Sequence, residues 1–188
     1  MSVLPHQYEC PIDSVIIDMC AAVAPFFKET GHTANAITFE GGILSAYSLY
    51  LLYNYDVKNF ALFYALGYAF DCLDGHFARR YKMVSKFGEY FEHIKDILTT
   101  VGYFYILLKK YEITMPVATV FTVAGFGLLS HMGHQQRYLG SKGGFLDPLQ
   151  HLAKNPRNMR YTRWLGCGTF MVLSIAAPFF LRRKMRLW

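Results

Sequence analysis

The chain has 188 residues, 53% of them hydrophobic and 17% aromatic, with only 17% charged. A soluble domain carries nearer a quarter charged residues, so this balance leans towards a membrane protein and away from a soluble fold. The formal net charge of +6 is interleaved with apolar runs. That argues against nucleic acid and for anionic headgroups or a substrate phosphate as partners.

Residues 1–10 carry no basic region ahead of an apolar core, so no cleavable signal peptide is expected. Pro11 to Thr30 reads as a helix, with Pro11 suited to its first turn and Gly31 to a left-handed C-terminal cap. Ile12, Val15, Ile16, Met19, Val23, Phe26 and Phe27 form an apolar stripe interrupted by Asp13 and Asp18. The segment is too short and too acidic to span comfortably, which places it flat in the membrane interface. A soluble packing helix is the other reading of the same pattern. Gly31 to Thr38 reads as a turn leading into a first span, Ile37 to Asn54, whose only charge is Glu40. A second span, Phe60 to Phe70, runs straight into Asp71. A third, Ile97 to Leu108, follows directly on Asp96. The fourth (Ile113 to Ser130) and fifth (Trp164 to Leu181) are free of charge and reach the length of about 18 residues that a spanning helix needs.

The connections Tyr53 to Asn59 and Tyr111 to Thr114 are short. His131 to Arg163 is the one long polar stretch, and Gly140, Gly143, Gly144, Pro148 and Pro156 preclude a continuous helix there. Gln150 to Ala153 supply a turn or two of helix. The predicted architecture is all-α, a multi-pass transmembrane helical bundle of about five spans over residues 37–181. An interfacial amphipathic helix at 11–30 completes a single domain covering 1–188. A mean hydropathy of +0.18 fits helices that line a polar cavity.

Positive charge falls in blocks. Arg79, Arg80, Lys82 and Lys86 lie between the second and third spans; Arg137, Lys142, Lys154, Arg157, Arg160 and Arg163 lie between the fourth and fifth. Both connections share one side, which the positive-inside rule makes cytoplasmic. The tail from Arg182 to Arg186 is also basic, yet five spans put it on the outer face. A sixth span is therefore left open. Cys10, Cys20, Cys72 and Cys167 show no CxxC or zinc-type spacing and read as small packing residues.

The chemistry concentrates in Asp71, Asp74, Glu92 and Asp96, four carboxylates within 26 residues beside membrane-type sequence. Acids in such a place are costly unless they bind a cation or do chemistry. On helices, Asp71, Asp74, Gly75 and Ala78 share one stripe, and Gly88, Glu92 and Asp96 another. Converging carboxylates suit two hard divalent cations, Mg²⁺ or Mn²⁺, and the lack of a Cys or His cluster argues against zinc. Gly75, Ala78 and Gly88 remove bulk where a nucleotide or a second helix must approach. Arg79 adds a permanent cation with bidentate geometry for phosphate oxygen. Together these features suit a pyrophosphate-containing substrate. Surface ion pairs at solvated helix ends are the bland alternative.

These residues resemble the signature of the CDP-alcohol phosphotransferase family (the class I CDP-alcohol phosphatidyltransferases), D-x2-D-G-x2-A-R-x8-G-x3-D-x3-D. Asp71, Asp74, Gly75, Ala78, Arg79, Gly88 and Asp96 match at that spacing, and Glu92 stands where the family has its third Asp. The family's Asn-x-x-Thr before the first span is met by Asn35 and Thr38. The resemblance implies an integral membrane enzyme that joins a CDP-linked group to an alcohol and releases CMP. Asp71, Asp74 and Glu92 would ligate metal with Asp96 close by, and Asp96 would be the general base towards the acceptor hydroxyl. Gly75, Ala78, Arg79 and Gly88, with Asn35 and Thr38, would contact the CDP moiety. The resemblance also implies phospholipid synthesis, in the endoplasmic reticulum if the source is eukaryotic, and leaves a homodimer open.

Two departures follow. Glu92 is one methylene longer than Asp, which predicts altered metal preference before it predicts inactivity. The family commonly has six spans where five are read here. The alcohol is left undecided: His76, Tyr81, Val84 and Ser85 resemble eukaryotic phosphatidylinositol synthases, while Gly88, Glu89, Phe91, His93 and Asp96 resemble choline and ethanolamine phosphotransferases. His131 and His134 lie at i, i+3 with no third ligand, so interfacial hydrogen bonding is expected of them. His93 suits either orientation of a carboxylate or packing. Arg137, Arg160 and Arg163 are read as charge at the membrane surface ahead of an acceptor-phosphate pocket. A divalent-cation binding or transport protein and a catalytically silent homologue are the competing functions. A cation path gains nothing from Gly75, Ala78 and Arg79 beside its ligands.

Overall fold

The computed structural model describes residues 4–5, 7–140, 144–153, 155 and 158–184. Among these, seven α-helices carry the chain: α1 (Pro11–Glu29), α2 (Ala34–Tyr53), α3 (Val57–Arg80), α4 (Lys86–Lys110), α5 (Met115–Leu139), the short α6 (Met159–Thr162) and α7 (Cys167–Phe180). The all-α expectation holds. Two-residue strands β1 (Tyr111–Glu112) and β2 (Arg182–Arg183) pair antiparallel.

Helix starts follow from local chemistry. Thr33 caps α2 by accepting from Ala36 N at 3.2 Å, Asp56 caps α3 by accepting from Asn59 N at 3.3 Å, and Ser85 caps α4 by accepting from Gly88 N at 3.0 Å. Pro11 opens α1, and Gly31 just past its end adopts φ +80°. The Thr33 cap corrects the expected turn over residues 31–38. The helix begins at Ala34, so Asn35 and Thr38 sit in its first turns. Likewise α5 runs on to Leu139, ending at left-handed Gly140, so His131, His134 and Arg137 are helical. The expected turn at Gln150 to Ala153 is a 3-10 helix over Asp147–Leu152. The fifth apolar run is broken by a 3-10 turn at Arg163–Leu165, so α7 starts only at Cys167. Lys142, Gly143, Lys154, Pro156, Arg157, Met185 and Arg186 lie outside the described residues.

Helices α2 and α3 pack together more extensively than any other pair. Gly67 permits it: a Cβ there would lie 2.5 Å from Ser45 Oγ and 3.2 Å from its backbone nitrogen. Two apolar cores flank this contact. One, at the end near β1, comprises Leu51, Leu52, Phe60, Tyr103, Leu107 and Tyr111 with Leu181. The other, near the α1 end, comprises Cys20, Ala24, Ala34, Ile37, Leu73 and Phe77. Helix α1 therefore buries Cys20 and Ala24, and from its expected stripe Val15, Met19, Val23 and Phe26 face outward.

The β pair ties the basic tail to the end of the bundle opposite Arg79 and Arg80. There Arg183 donates to Tyr55 O at 3.0 Å and lies over the Tyr55 ring. Among the described residues, two stretches are long and apolar enough to cross a membrane, Met115–Leu139 and Met159–Phe180. The latter joins α6, the 3-10 turn and α7.

Candidate functional site

Helix α3 presents Asp71 and Asp74 one turn apart, and α4 presents Glu92 and Asp96 opposite them. Asp71, Asp74 and Glu92 each bring a carboxylate oxygen within 4.8 Å of the others. Glu92, His93 and Asp96 form a second such group. All four acids are thus brought together.

Their environments differ. Asp74 is 2% exposed, and among the described residues neither of its carboxylate oxygens has a hydrogen-bond partner. A buried, unpaired carboxylate is expensive, and a hard cation is the group that relieves the cost. The donor set and this orphaned carboxylate therefore fit Mg²⁺ or Mn²⁺. Asp71 and Asp96 instead share a partner that sequence reasoning missed, Lys95. Its ammonium donates to Asp71 Oδ1 and lies 3.0 Å from Asp96 Oδ1. The signal was available, since Lys95 stands three residues after Glu92 on the acidic face of α4.

Beside Asp74 and Glu92 opens a cavity of about 290 Å³ lined by Asn35, Thr38, Gly75, Ala78, Arg79 and Gly88. These are the six residues expected to contact the CDP moiety. Asp71 and Asp96 do not line it. The Arg79 guanidinium folds back over Gly75, 3.2 Å from where a Cβ would be. At Gly88 a Cβ would lie 2.9 Å from Asn35 Oδ1 and would displace that side chain from its place in the cavity wall. A further wall, from Gln136 of α5 and Leu146, was not foreseen. It is pinned over α4 by Phe145, whose N–H donates to Glu89 Oε1 at 2.7 Å and whose ring packs on Tyr90 and His93.

Several other candidates stand apart. His131 is buried, with Nδ1 3.1 Å from Thr162 Oγ1 and Nε2 3.0 Å from Gln135 Nε2. His134 Nδ1 lies 2.7 Å from Ser130 O. Both histidines are buried and hydrogen-bond within the protein. Arg137 donates to Ala153 O, Arg160 lies over Tyr161, and Arg163 lies over Trp164. These three line neither the cavity nor the acidic group. His76 is buried, and neither ring nitrogen has a partner among the described residues, another feature that spacing alone did not show.

The α1 helix is anchored by chemistry of its own. Tyr68 O–H donates to Asp13 Oδ1 at 2.6 Å. Burial pushes the Asp13 carboxyl up to about 6, helped by the nearby Glu9 charge and opposed by the Tyr68 hydrogen bond.

The chain matches the family model for CDP-alcohol phosphatidyltransferase over residues 31–149. Searches of curated proteins and of solved structures return no match. The matched stretch runs from the turn before α2 into the 3-10 helix after α5, and it contains all four acids, Lys95 and the cavity-lining residues named above. The chain belongs to the CDP-alcohol phosphatidyltransferase family, whose members transfer a phosphatidyl-type group from a CDP-linked donor to an alcohol.

Proposed function

We propose that this protein is an integral membrane transferase of phospholipid synthesis, moving a phosphatidyl or phospho-alcohol group from a CDP-linked donor to an alcohol with release of CMP. The observation that carries this reading is the unpaired Asp74 carboxylate beside a cavity lined by Asn35, Thr38, Gly75, Ala78, Arg79 and Gly88. Asp71, Asp74 and Glu92 would hold the divalent cation, with Asp96 adjacent. When bound, such a cation offsets charge building on the transferred phosphorus and on departing CMP. Arg79 meets phosphate oxygens with its guanidinium, and Gly75, Ala78 and Gly88 let the nucleotide lie against the helices. Asp96, whose side chain is 45% exposed, is the acid an acceptor reaches from outside. It takes the hydroxyl proton as the hydroxyl oxygen bonds to the transferred phosphorus and the bond from that phosphorus to CMP breaks.

A multi-pass arrangement of five spans, α2 to α5 and α7, is supported by the outer surface. Phe39, Ile43, Tyr47 and Tyr50 form an exposed apolar stripe on α2, and Ile94, Leu98, Val101, Tyr105 and Leu108 another on α4. Continuous patches of this kind are rare on soluble monomers. The outward face of α1 suits the membrane interface. The positive-inside rule turns the Arg79, Arg80, Lys82 and Lys86 end, and so the site, towards the cytoplasm. Extraction by salt without detergent would contradict the membrane assignment.

The test of function is CMP release by detergent-purified protein with Mn²⁺ or Mg²⁺. CDP-diacylglycerol is offered with inositol, serine or glycerol 3-phosphate, and diacylglycerol with CDP-choline or CDP-ethanolamine. Metal-dependent release from one pair, lost in Asp96→Asn, is the expected result. Silence from every pair by folded, metal-loaded protein would overturn it in favour of a silent homologue.

A further inference from the structure

Three features of Lys95 stand out together. Its side chain is only 9% exposed, its ammonium is shared by Asp71 and Asp96, and both are acids of the candidate metal site. A buried ammonium persists only where carboxylates compensate it, so this contact is part of the local charge balance. The stem of Lys95 runs along an apolar groove between α2 and α4, beside Gly42, Ile43, Ile94 and Leu98. Thr38 and Thr99, which also line the groove, offer hydroxyls but no carboxylate. Meanwhile Asp74 has no hydrogen-bond partner among the described residues, and Glu92 and Asp71 both lie within ligand distance of it. The four acids are therefore unequal: Lys95 makes its ion pairs with Asp71 and Asp96, whereas Asp74 and Glu92 make none among the described residues and have Arg79 across the cavity.

We propose that the Lys95 ammonium takes the place of one divalent cation, so that the site binds a single metal ion on the Asp74 and Glu92 side. Four carboxylates supply four negative charges, and Lys95 with one divalent ion supplies three positive ones. A second divalent ion would have to displace the ammonium from Asp71 and Asp96 or sit beside it, against like-charge repulsion. This inference rests on reading the acidic group as a metal site, and it replaces the two-metal expectation with a mixed metal–lysine one.

The experiment titrates Mn²⁺ alone into the detergent-purified full chain and reads stoichiometry by calorimetry and the manganese environment by electron paramagnetic resonance. Wild type is expected to bind one equivalent tightly, with the spectrum of an isolated ion. Lys95→Met, which keeps the stem and removes the charge, is expected to bind two equivalents and show a spin-coupled pair. Lys95→Arg should stay at one. A coupled pair in wild type overturns the proposal and leaves the metal reading standing. So does a Lys95→Met protein that unfolds at the wild-type temperature yet still binds one equivalent. If Lys95→Met does not fold, the wild-type stoichiometry decides alone. Absence of Mn²⁺ binding in folded wild type would sink the metal reading itself.

Discussion

At the β1 end of the bundle, Phe60, Tyr103 and Tyr111 are sealed from solvent, and the two tyrosines have hydrogen-bond acceptors. Tyr103 O–H donates to Ser174 O at 2.8 Å and Tyr111 O–H to Leu52 O at 3.3 Å. At the α1 end of the same helices, Asp74 and His76 are similarly buried, and neither has a hydrogen-bond partner among the described residues. One end is packed for stability. The other carries unsatisfied polar groups, an arrangement that costs stability and persists where it serves function. The contrast teaches that stability and activity should separate along the length of α2, α3 and α4.

The largest separation is expected at Asp74. Metal-assisted charge stabilisation is worth several kcal/mol, so Asp74→Asn should lower CMP release by about 1,000-fold or more. The same change removes a buried unpaired charge, so the unfolding midpoint should hold or rise by about 0.5–2 kcal/mol equivalent. A collapse of the fold in this variant would break the comparison. The mirror experiment is Phe60→Ala, which should cost about 3–5 kcal/mol through the cavity it leaves. Its folded fraction should bind Mn²⁺ with unchanged affinity. A loss of metal binding would show that the two ends are not separable.

Glu92→Asp sharpens the active end. It shortens one arm of the acidic group and should change CMP release by no more than about tenfold, with a shift in Mn²⁺ over Mg²⁺ preference. Activity rising from nothing would mean that the natural chain is silent. The smallest effect concerns Asp13, which docks α1 beside the site. Its carboxyl is raised by burial to about 6, so the folded protein holds this proton more tightly than the unfolded chain does. The stability it contributes is full below about pH 4 and is lost as pH rises through about 6. Asp13→Asn, able to accept from Tyr68 without the charge, should flatten that dependence and gain about 1 kcal/mol at pH 7.5. A thermal melt series as steep as the parent's would exclude Asp13 as the titrating group.

Much of the site was legible because helical spacing is a local property. Asp71 with Asp74, and Glu92 with Asp96, share helix faces whatever the helices pack against, and the signature spacing placed Gly75, Ala78, Arg79 and Gly88 with them. Lys95 was missed because a lone lysine within a charged helix turn looks like a solvated residue. Only the packing of α2 against α4 shows that it is buried. The wall from Gln136 and Leu146 was invisible for a related reason, since it depends on how the segment after α5 folds back. Helix boundaries failed where polar residues are helical. Thr33 capping drew Asn35 and Thr38 into α2, and burial of His131 against Thr162 carried α5 past the end of its apolar run. The α1 stripe was read as one face, yet only part of it, Ile16 and Phe27, packs inward with the small residues Cys20 and Ala24, while Val15, Met19, Val23 and Phe26 face outward.

The most direct measurement is a structure of the protein with CDP and Mn²⁺, with manganese located by its anomalous scattering. The account predicts manganese coordinated by Asp74 and Glu92, with the pyrophosphate of CDP against Arg79 in the cavity beside Gly75 and Gly88. Manganese absent from those carboxylates, or CDP bound elsewhere, would contradict it.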